Sequence, residues 1–351
     1  MATVAQGNNT YVPNMAAAGN LRFEFSRNPK SFALNRYAAI RGVKQMVGNY
    51  LSFTAEEAAR ITDLNKYHWA DGNDAPKSHD SLELFSFEQY ACQRYAFPFT
   101  LGNLAREQAA WDIDSQSMRV QAQKAMTFRS TKAANVLTTA GNWSGNTGTA
   151  ASVGGGVWLN SSTTNQYILK TFRGVQETIF KNTLGAVSPE SLICVISPDV
   201  AKAIRTSPEV IDFVKQQASA PAILMQNDAQ YTRWGIPSQM YGIKIVVDDT
   251  VRVTSKKGAT LASSYTLYHA DGYAIFLTLT ELVDQGKVGE DDLPAGGLQS
   301  FDTLSIFTYE DMVVEQREDV DNKRLEGRVI DNFAAVLTAP KSGYFITNVL
   351  Q

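Results

Sequence analysis

Apolar positions fall along this chain in several distinct rhythms, and each rhythm predicts a different element. Between Asp112 and Leu137 they recur at Met118, Ala122, Met126, Ala133 and Leu137, in steps of four or seven. That stripe predicts an amphipathic helix of about 26 residues and about 40 Å. Asp112, Asp114 and Ser115 form its acidic, capping start, and Gly141 lies just past its end. Ile168, Phe172, Val175 and Ile179 predict a second helix, stopped by Gly185. Phe32, Tyr37, Ile40, Val43 and Val47 share one side of a helix expected from Pro29 to Val47. Thr54-Ala55-Glu56-Glu57 reads as a capping box opening a further short helix.

The rhythm changes to two between Leu82 and Leu101. Phe85, Phe87, Ala91, Tyr95, Phe97, Phe99 and Leu101 share one parity, interrupted by Gln89 and Gln93. Alternation over so long a stretch predicts an extended ribbon reaching about 65 Å. The radius of gyration expected for the chain is only about 20 Å, so such an arm projects or wraps a neighbour. Leu192–Ile196 is an unbroken apolar run, read as a buried strand. Ser197-Pro198-Asp199 and Ser207-Pro208-Glu209 are twin helix starts, each with a capping Ser, a Pro in the first turn and an acid at the positive end of the dipole. Ile243–Val247, Tyr265–His269 and Tyr273–Thr280 read as a small mixed sheet, the last two joined as a hairpin at Asp271-Gly272. Strands are expected again at Leu304–Thr308, Met312–Glu318, Leu325–Leu337 and Tyr344–Leu350. Residues 141–164 are Gly, Ser, Thr and Asn with Trp143 and Trp158 embedded, read as a flexible loop with two sticky aromatics. Residues 1 to about 30 are too poor in apolar area to order themselves, yet carry Tyr11, Leu21, Phe23 and Phe25 for docking on something else.

Composition narrows the function. The 351 residues are 44% hydrophobic, enough for a real core. Only 19% are charged, against an ordinary level of about 25%. A surface poor in charge suits one covered by other subunits. Thirty-two basic against 35 acidic residues give a net charge of −3, which argues against a dedicated nucleic-acid binder. No apolar run approaches the ~18 residues of a membrane helix. Met1–Asn9 has neither a basic start nor an apolar core, so no signal peptide is expected.

Candidate chemistry is sparse. There is no phosphate-binding loop, dinucleotide fingerprint, HExxH or GxSxG pattern. Gly154-Gly155-Gly156 precedes Trp158 rather than opening a helix after a strand, which disfavours a phosphate site. His68 and His79 bracket Asp71, Asp74 and Asp80, but no regular spacing presents them together as a metal site, and Glu290-Asp291-Asp292 reads as a solvated acidic loop. Cys92 and Cys194 have no basic neighbour to lower a thiol pKa, so both read as reduced, buried residues. The expectation is no catalytic residue, no metal and no cofactor.

The order of elements resembles the major capsid proteins of tailed bacteriophages, the Hong Kong 97-like or Johnson fold, an α+β architecture. The likeness is carried by Leu192 to Val214, by Tyr241–Asp248 followed by Tyr265 to Leu279, and by the succession of arm, extended stretch, long helix and mixed sheet. It implies an N-terminal arm at 1–50 and a short helix with the extended loop at 51–111. A peripheral domain with the spine helix follows at 112–187, then an axial domain at 188–300 and peripheral strands at 301–351. It also implies hexamers and pentamers on an icosahedral shell around double-stranded DNA, assembled in the host cytoplasm and residing in the virion. Portal, scaffolding and decoration proteins are the implied partners, with no membrane. Tyr11, Phe23, Phe25, Phe85, Phe87, Tyr95, Phe97 and Phe99 are then the expected intersubunit contacts. An encapsulin-type cellular compartment is the alternative of the same fold, disfavoured by the extra arm and loop sequence. A soluble hydrolase with a site near His68 or Glu290 is the alternative of another class.

Overall fold

The computed structural model describes residues 27–53, 85–109, 112–159, 165–187, 191–216, 233–279 and 302–351. The chain begins there with a 3-10 turn at Pro29–Ser31, capped by Asn28, whose side chain accepts the Lys30 N–H at 3.0 Å. Helix α1 (Leu34–Tyr37) and strands β1 (Ala39–Gly42) and β2 (Val47–Phe53) follow. The single helix expected from Pro29 to Val47 is therefore a turn, one helical turn and the start of a sheet. The reason is tertiary: β1 pairs in parallel with residues 305–308, some 265 positions away, and that pairing overrides the local spacing.

Strands β3 (Phe85–Ala91) and β4 (Gln93–Gly102) lead through helix α2 (Asn103–Gln108) to α3 (Ile113–Thr138). Helix α3 matches the expected 112–137 rod. The Asp112 side chain accepts the Ser115 N–H at 3.0 Å, and Met126, Ala133 and Leu137 of the predicted stripe are buried. Next come β5 (Thr147–Thr149), α4 (Ala150–Gly154) and α5 (Tyr167–Asn182), then β6 (Leu192–Ile196), α6 (Pro198–Thr206) and α7 (Pro208–Gln216). The Ser-Pro-acid starts of α6 and α7 are where the pattern puts them. Glu209 does more than complement a dipole: its carboxylate accepts the N–H groups of Ile168 and Leu169 at 3.0 and 2.7 Å, capping α5 across the fold. The remaining strands are β7 (Gln239–Met240), β8 (Ile243–Val247), β9 (Val251–Val253), β10 (Ser263–Tyr265), β11 (Ala274–Thr278), β12 (Leu304–Asp319), β13 (Arg324–Leu337) and β14 (Tyr344–Thr347).

Two sheets organise the molecule. A four-stranded sheet runs β1-β12-β13-β4, and a six-stranded one runs β5-β14-β11-β6-β8-β7. Alternation along the six-stranded sheet sends Cys194, Ile245 and Phe276 into a core with α5 and α6. It sends Ile193, Val195, Val246 and Ile275 the other way, where they meet Leu34, Tyr37, Ala133, Leu137, Leu304 and Phe333. That second core joins both sheets, and the C-terminal half of α3 lies in it.

Three expectations are corrected. The hairpin of Tyr265–His269 with Tyr273–Thr280 does not form: β10 pairs with β9, and β11 lies between β6 and β14. Strand β14 belongs to the six-stranded sheet rather than with the peripheral strands of 301–351, and β5 joins it there from the 112–187 segment. Trp143 and Trp158 are core residues, not loop aromatics. Each indole N–H finds an acceptor, the Leu137 carbonyl at 2.8 Å and the Thr171 hydroxyl at 3.2 Å. The backbone can turn inward after Trp143 because Ser144 and Gly145 take positive φ. In the Gly154-Gly155-Gly156 run, Gly155 is the left-handed cap that ends α4.

Candidate assembly surfaces

The alternating stretch of 82–101 divides at Cys92, where strand β3 ends and β4 begins. Cys92 is buried, and its N–H donates to the Met46 carbonyl at 2.7 Å. Before it, β3 pairs antiparallel with β2 from Val47↔Ala91 to Phe53↔Phe85, a separate two-stranded ribbon. After it, β4 is the edge strand of the four-stranded sheet, paired with β13 from Gln93↔Phe333 to Gly102↔Arg324.

The expected contact residues divide accordingly. Phe97 and Phe99 are buried in their own chain, which corrects their reading as neighbour-facing anchors. Phe97 packs with Ala125 and Val329 under α3, and Phe99 with Leu101, Leu325, Ile113 and Met118. Gly327 lies directly across from Phe99, and a side chain there would collide with the ring. Tyr95 is half-buried, 4.6 Å from the Phe128 ring and 5.3 Å from Phe333. The physical cause is length: a ribbon that joins a sheet half-way along gives its far half to its own core. Phe87, in the half that peels away, is 67% exposed. Phe85 pairs with Phe53 at the end of the described ribbon. Tyr11, Phe23 and Phe25 lie outside the described residues, as do the 54–57 capping box, the His68–Asp80 group and Glu290–Asp292.

What fixes the ribbon to the body was not legible from spacing. Tyr90 and Tyr50 stack on Phe307 of β12, with ring centroids 4.4 and 5.8 Å apart. Tyr90 lies over Gly48 of the partner strand, where a side chain would strike its ring. The exposed ribbon is thus held at its base by three rings.

Charges are spent on joints. Arg129 of α3 is buried and binds Asp331 of β13 through two nitrogens, one of them at 3.0 Å. It also reaches Asp311 of β12 at 2.7 Å. Burial pushes the Asp331 carboxyl up, while the Arg129 hydrogen bond and charge pull against it. Arg27, where the described chain begins, donates its N–H to Gln123 of α3 at 3.0 Å and its guanidinium to Asp249 at 2.7 Å. Arg233 also pairs with Asp249. Next to it, Asp248 is buried, accepting the Tyr37 hydroxyl at 2.9 Å and the Thr250 N–H at 3.0 Å. Burial holds its carboxyl above the usual carboxylate range.

Among the described residues, no group of three His, Cys, Asp or Glu side chains could hold a metal ion, and no helix is long and apolar enough to cross a membrane. Both thiols are free, and burial raises their pKa, the wrong direction for a nucleophile. The arrangement offers a rigid two-sheet body, an exposed ribbon and charged joints.

Solved structures share this arrangement over almost the whole chain. A phage-related protein of Bordetella bronchiseptica superposes with a TM-score of 0.58 at 15% identity, covering 91% of this chain and 93% of that one. The mature capsid of bacteriophage PhiM1 gives 0.55 at 11%, covering 94% and 90%. The fold is the Hong Kong 97-like one. The capsid of the native GTA particle agrees, at 0.53 and 13% identity over 98% and 97% of the two chains. No family model and no curated protein matches the chain.

Proposed function

We propose that this chain is the major capsid protein of a tailed bacteriophage. It is a structural, non-catalytic subunit that forms hexamers and pentamers of an icosahedral shell around double-stranded DNA. The observation that carries the reading is the match over nine-tenths or more of both chains with phage-related and GTA capsid structures. The exposed Phe87 on a ribbon standing off the body supports it, because a two-stranded ribbon is marginal alone and an apolar ring on it gains from a neighbour. In this reading residues 1–50 are the arm, 51–111 carry the extended loop, and Tyr11, Phe23, Phe25, Phe85 and Phe87 meet adjacent subunits. Assembly takes place in the host cytoplasm with portal and scaffolding proteins, a decoration protein being a further partner, and the product is the virion head. No bound cofactor is needed.

Sedimentation and negative-stain imaging of the expressed full chain test this. Capsomers or closed shells are the expected outcome, and a chain that stays monomeric at every concentration sinks it. Nuclease-protected double-stranded DNA is the content expected of shells from infected cells; enzyme cargo in its place would point to a cellular compartment.

A further inference from the structure

We infer that the outer edge of β12, from Val313 to Asp319, pairs with the same edge of a second copy of this chain, antiparallel and about a two-fold axis at Gln316. This contact rests on the shell reading and joins two subunits of that shell.

The edge is open for a structural reason. Strand β1 covers β12 only from Ser305 to Thr308, with one further bond from the Val43 N–H to the Thr308 carbonyl at 2.8 Å. The chain then leaves the sheet to form the β2–β3 ribbon. The register of β12 against β13 slips twice between Thr308 and Val313, where Met312 takes a positive φ. From Val313↔Ile330 to Asp319↔Arg324 it is regular again. Those residues span about 23 Å with no strand on their outer side among the described residues. Backbone N–H and C=O groups that point outward there can template another strand. Val313 and Val314 are each 44% exposed, and the stretch carries no proline or lysine to blunt it. Helix α3 leaves room at this edge. It packs on β4 and β13 through Phe97, Phe99 and Val329, while Val314, directly across from Val329, stays exposed.

Charge selects the occupant. On the face away from α3, Glu315 lies across from Arg328 and accepts its guanidinium at 2.7 Å, and Arg317 lies across from Glu326. Glu326 is engaged by Arg324 at 2.6 Å, and Arg317 is exposed and forms no ion pair among the described residues. An antiparallel copy centred on Gln316 sets Glu315 of each chain beside Arg317 of the other. The row across four strands then reads Arg328, Glu315, Arg317, Glu326, alternating in sign, and the two-fold axis repeats it. Sliding the copy by two residues, the smallest step that keeps the faces matched, puts Glu315 beside Glu315 or Arg317 beside Arg317. An in-register parallel copy also sets like charges side by side.

The other face agrees. Gln316 lies against Met118 of α3 at 3.3 Å, so it is on the helix side. There it meets Gln316 of the second copy on the axis, and two primary amides can bond to each other. An edge that is its own complement closes as a pair, which is what a two-fold contact requires. The product at this end is one continuous sheet of six strands, β4-β13-β12 of one subunit followed by β12-β13-β4 of the next.

The test is disulfide trapping in assembled particles of the full chain carrying Gln316→Cys; the native Cys92 and Cys194 are both buried. A cysteine on the axis faces its own copy, so oxidised particles are expected to give covalent dimers on non-reducing gels. Glu318→Cys is the control: its counterpart lies about 14 Å away in this register, and it is expected to stay monomeric. Intact shells with no crosslink through Gln316→Cys mean that another segment covers the edge and overturn the assignment. Equal crosslinking through Glu318→Cys overturns the register and the assignment with it. Independently, Arg317→Glu and Glu315→Arg should each lower shell yield several-fold, and co-expressing the two variants should restore it, because both contacts across the axis then join opposite charges. Wild-type yield from either variant alone counts against the pairing. If the unmodified chain builds no particle at all, the shell reading itself has failed and this assignment falls with it.

Discussion

Asp248 has been taken out of water with a hydroxyl and an N–H for company but no cation of its own. Its pKa in the folded chain is raised, mainly by desolvation, so folding favours the protonated form. The stability tied to it is complete below the ordinary carboxylate pKa and is lost as pH climbs through the raised value. An Asn at 248 keeps an acceptor for the Thr250 N–H and removes the charge. Asp248→Asn is therefore expected to raise Tm by about 1–2 °C at pH 7 and to bring no advantage at pH 4. Thermal unfolding at both values checks it, and a loss at pH 7 that disappears at pH 4 would mean that the carboxylate contributes through its charge after all. Tyr37 is the other half of this contact. Its phenol is pushed up by burial first and by Asp248 second, so it stays a donor across that range.

At the scale of elements, helix α3 is fastened by one buried cation. Arg129 and Asp331 are both sealed from solvent, so removing Arg129 strands the Asp331 carboxylate. Arg129→Met is expected to destabilise by about 3–5 kcal/mol in denaturant unfolding. Adding Asp331→Leu should recover most of the loss, because Asp311 is largely solvated and needs no partner. A single variant costing under about 1 kcal/mol, or a double one no better, would show that packing alone holds the helix. This fastening was not legible beforehand, since the two residues stand 202 positions apart. What was legible depends on local chemistry alone: the α3 stripe with its Asp112 cap, the apolar run of β6, and the Ser-Pro-acid starts of α6 and α7. What failed depends on distant partners. Strand β1 was hidden because Ile40 and Val43 also satisfy a helical spacing, and its hydrogen-bonding partner is Leu304–Asp319. Trp143 and Trp158 looked like loop aromatics because the residues around them are small and polar, and only the sheet beneath them makes that region core. The aromatic alternation of 85–101 was read correctly as extended, while its division at Cys92 depends on β13.

For the whole molecule, the division at Cys92 separates stability from assembly. Phe97 and Phe99 are buried in the subunit, and Phe87 is largely exposed. Phe87→Ser is expected to leave the Tm of the isolated subunit within about 1 °C, as for an exposed position, and to cut the yield of shells. Unchanged yield would remove Phe87 from the list of contacts. The two-sheet body also sets a timetable for its own synthesis. Strand β14 sits between β5 and β11, parallel to one and antiparallel to the other, yet it follows β5 by about 200 residues. At roughly 5–20 residues per second, the ribosome needs on the order of 10–40 s to make that stretch. Throughout that interval β5 lacks its partner strand, and for about its last third, once β11 has been made, β11 also presents an unsatisfied edge. Every subunit thus passes through a period in which open strand edges face the cell, and the arrival of β14 is what ends it.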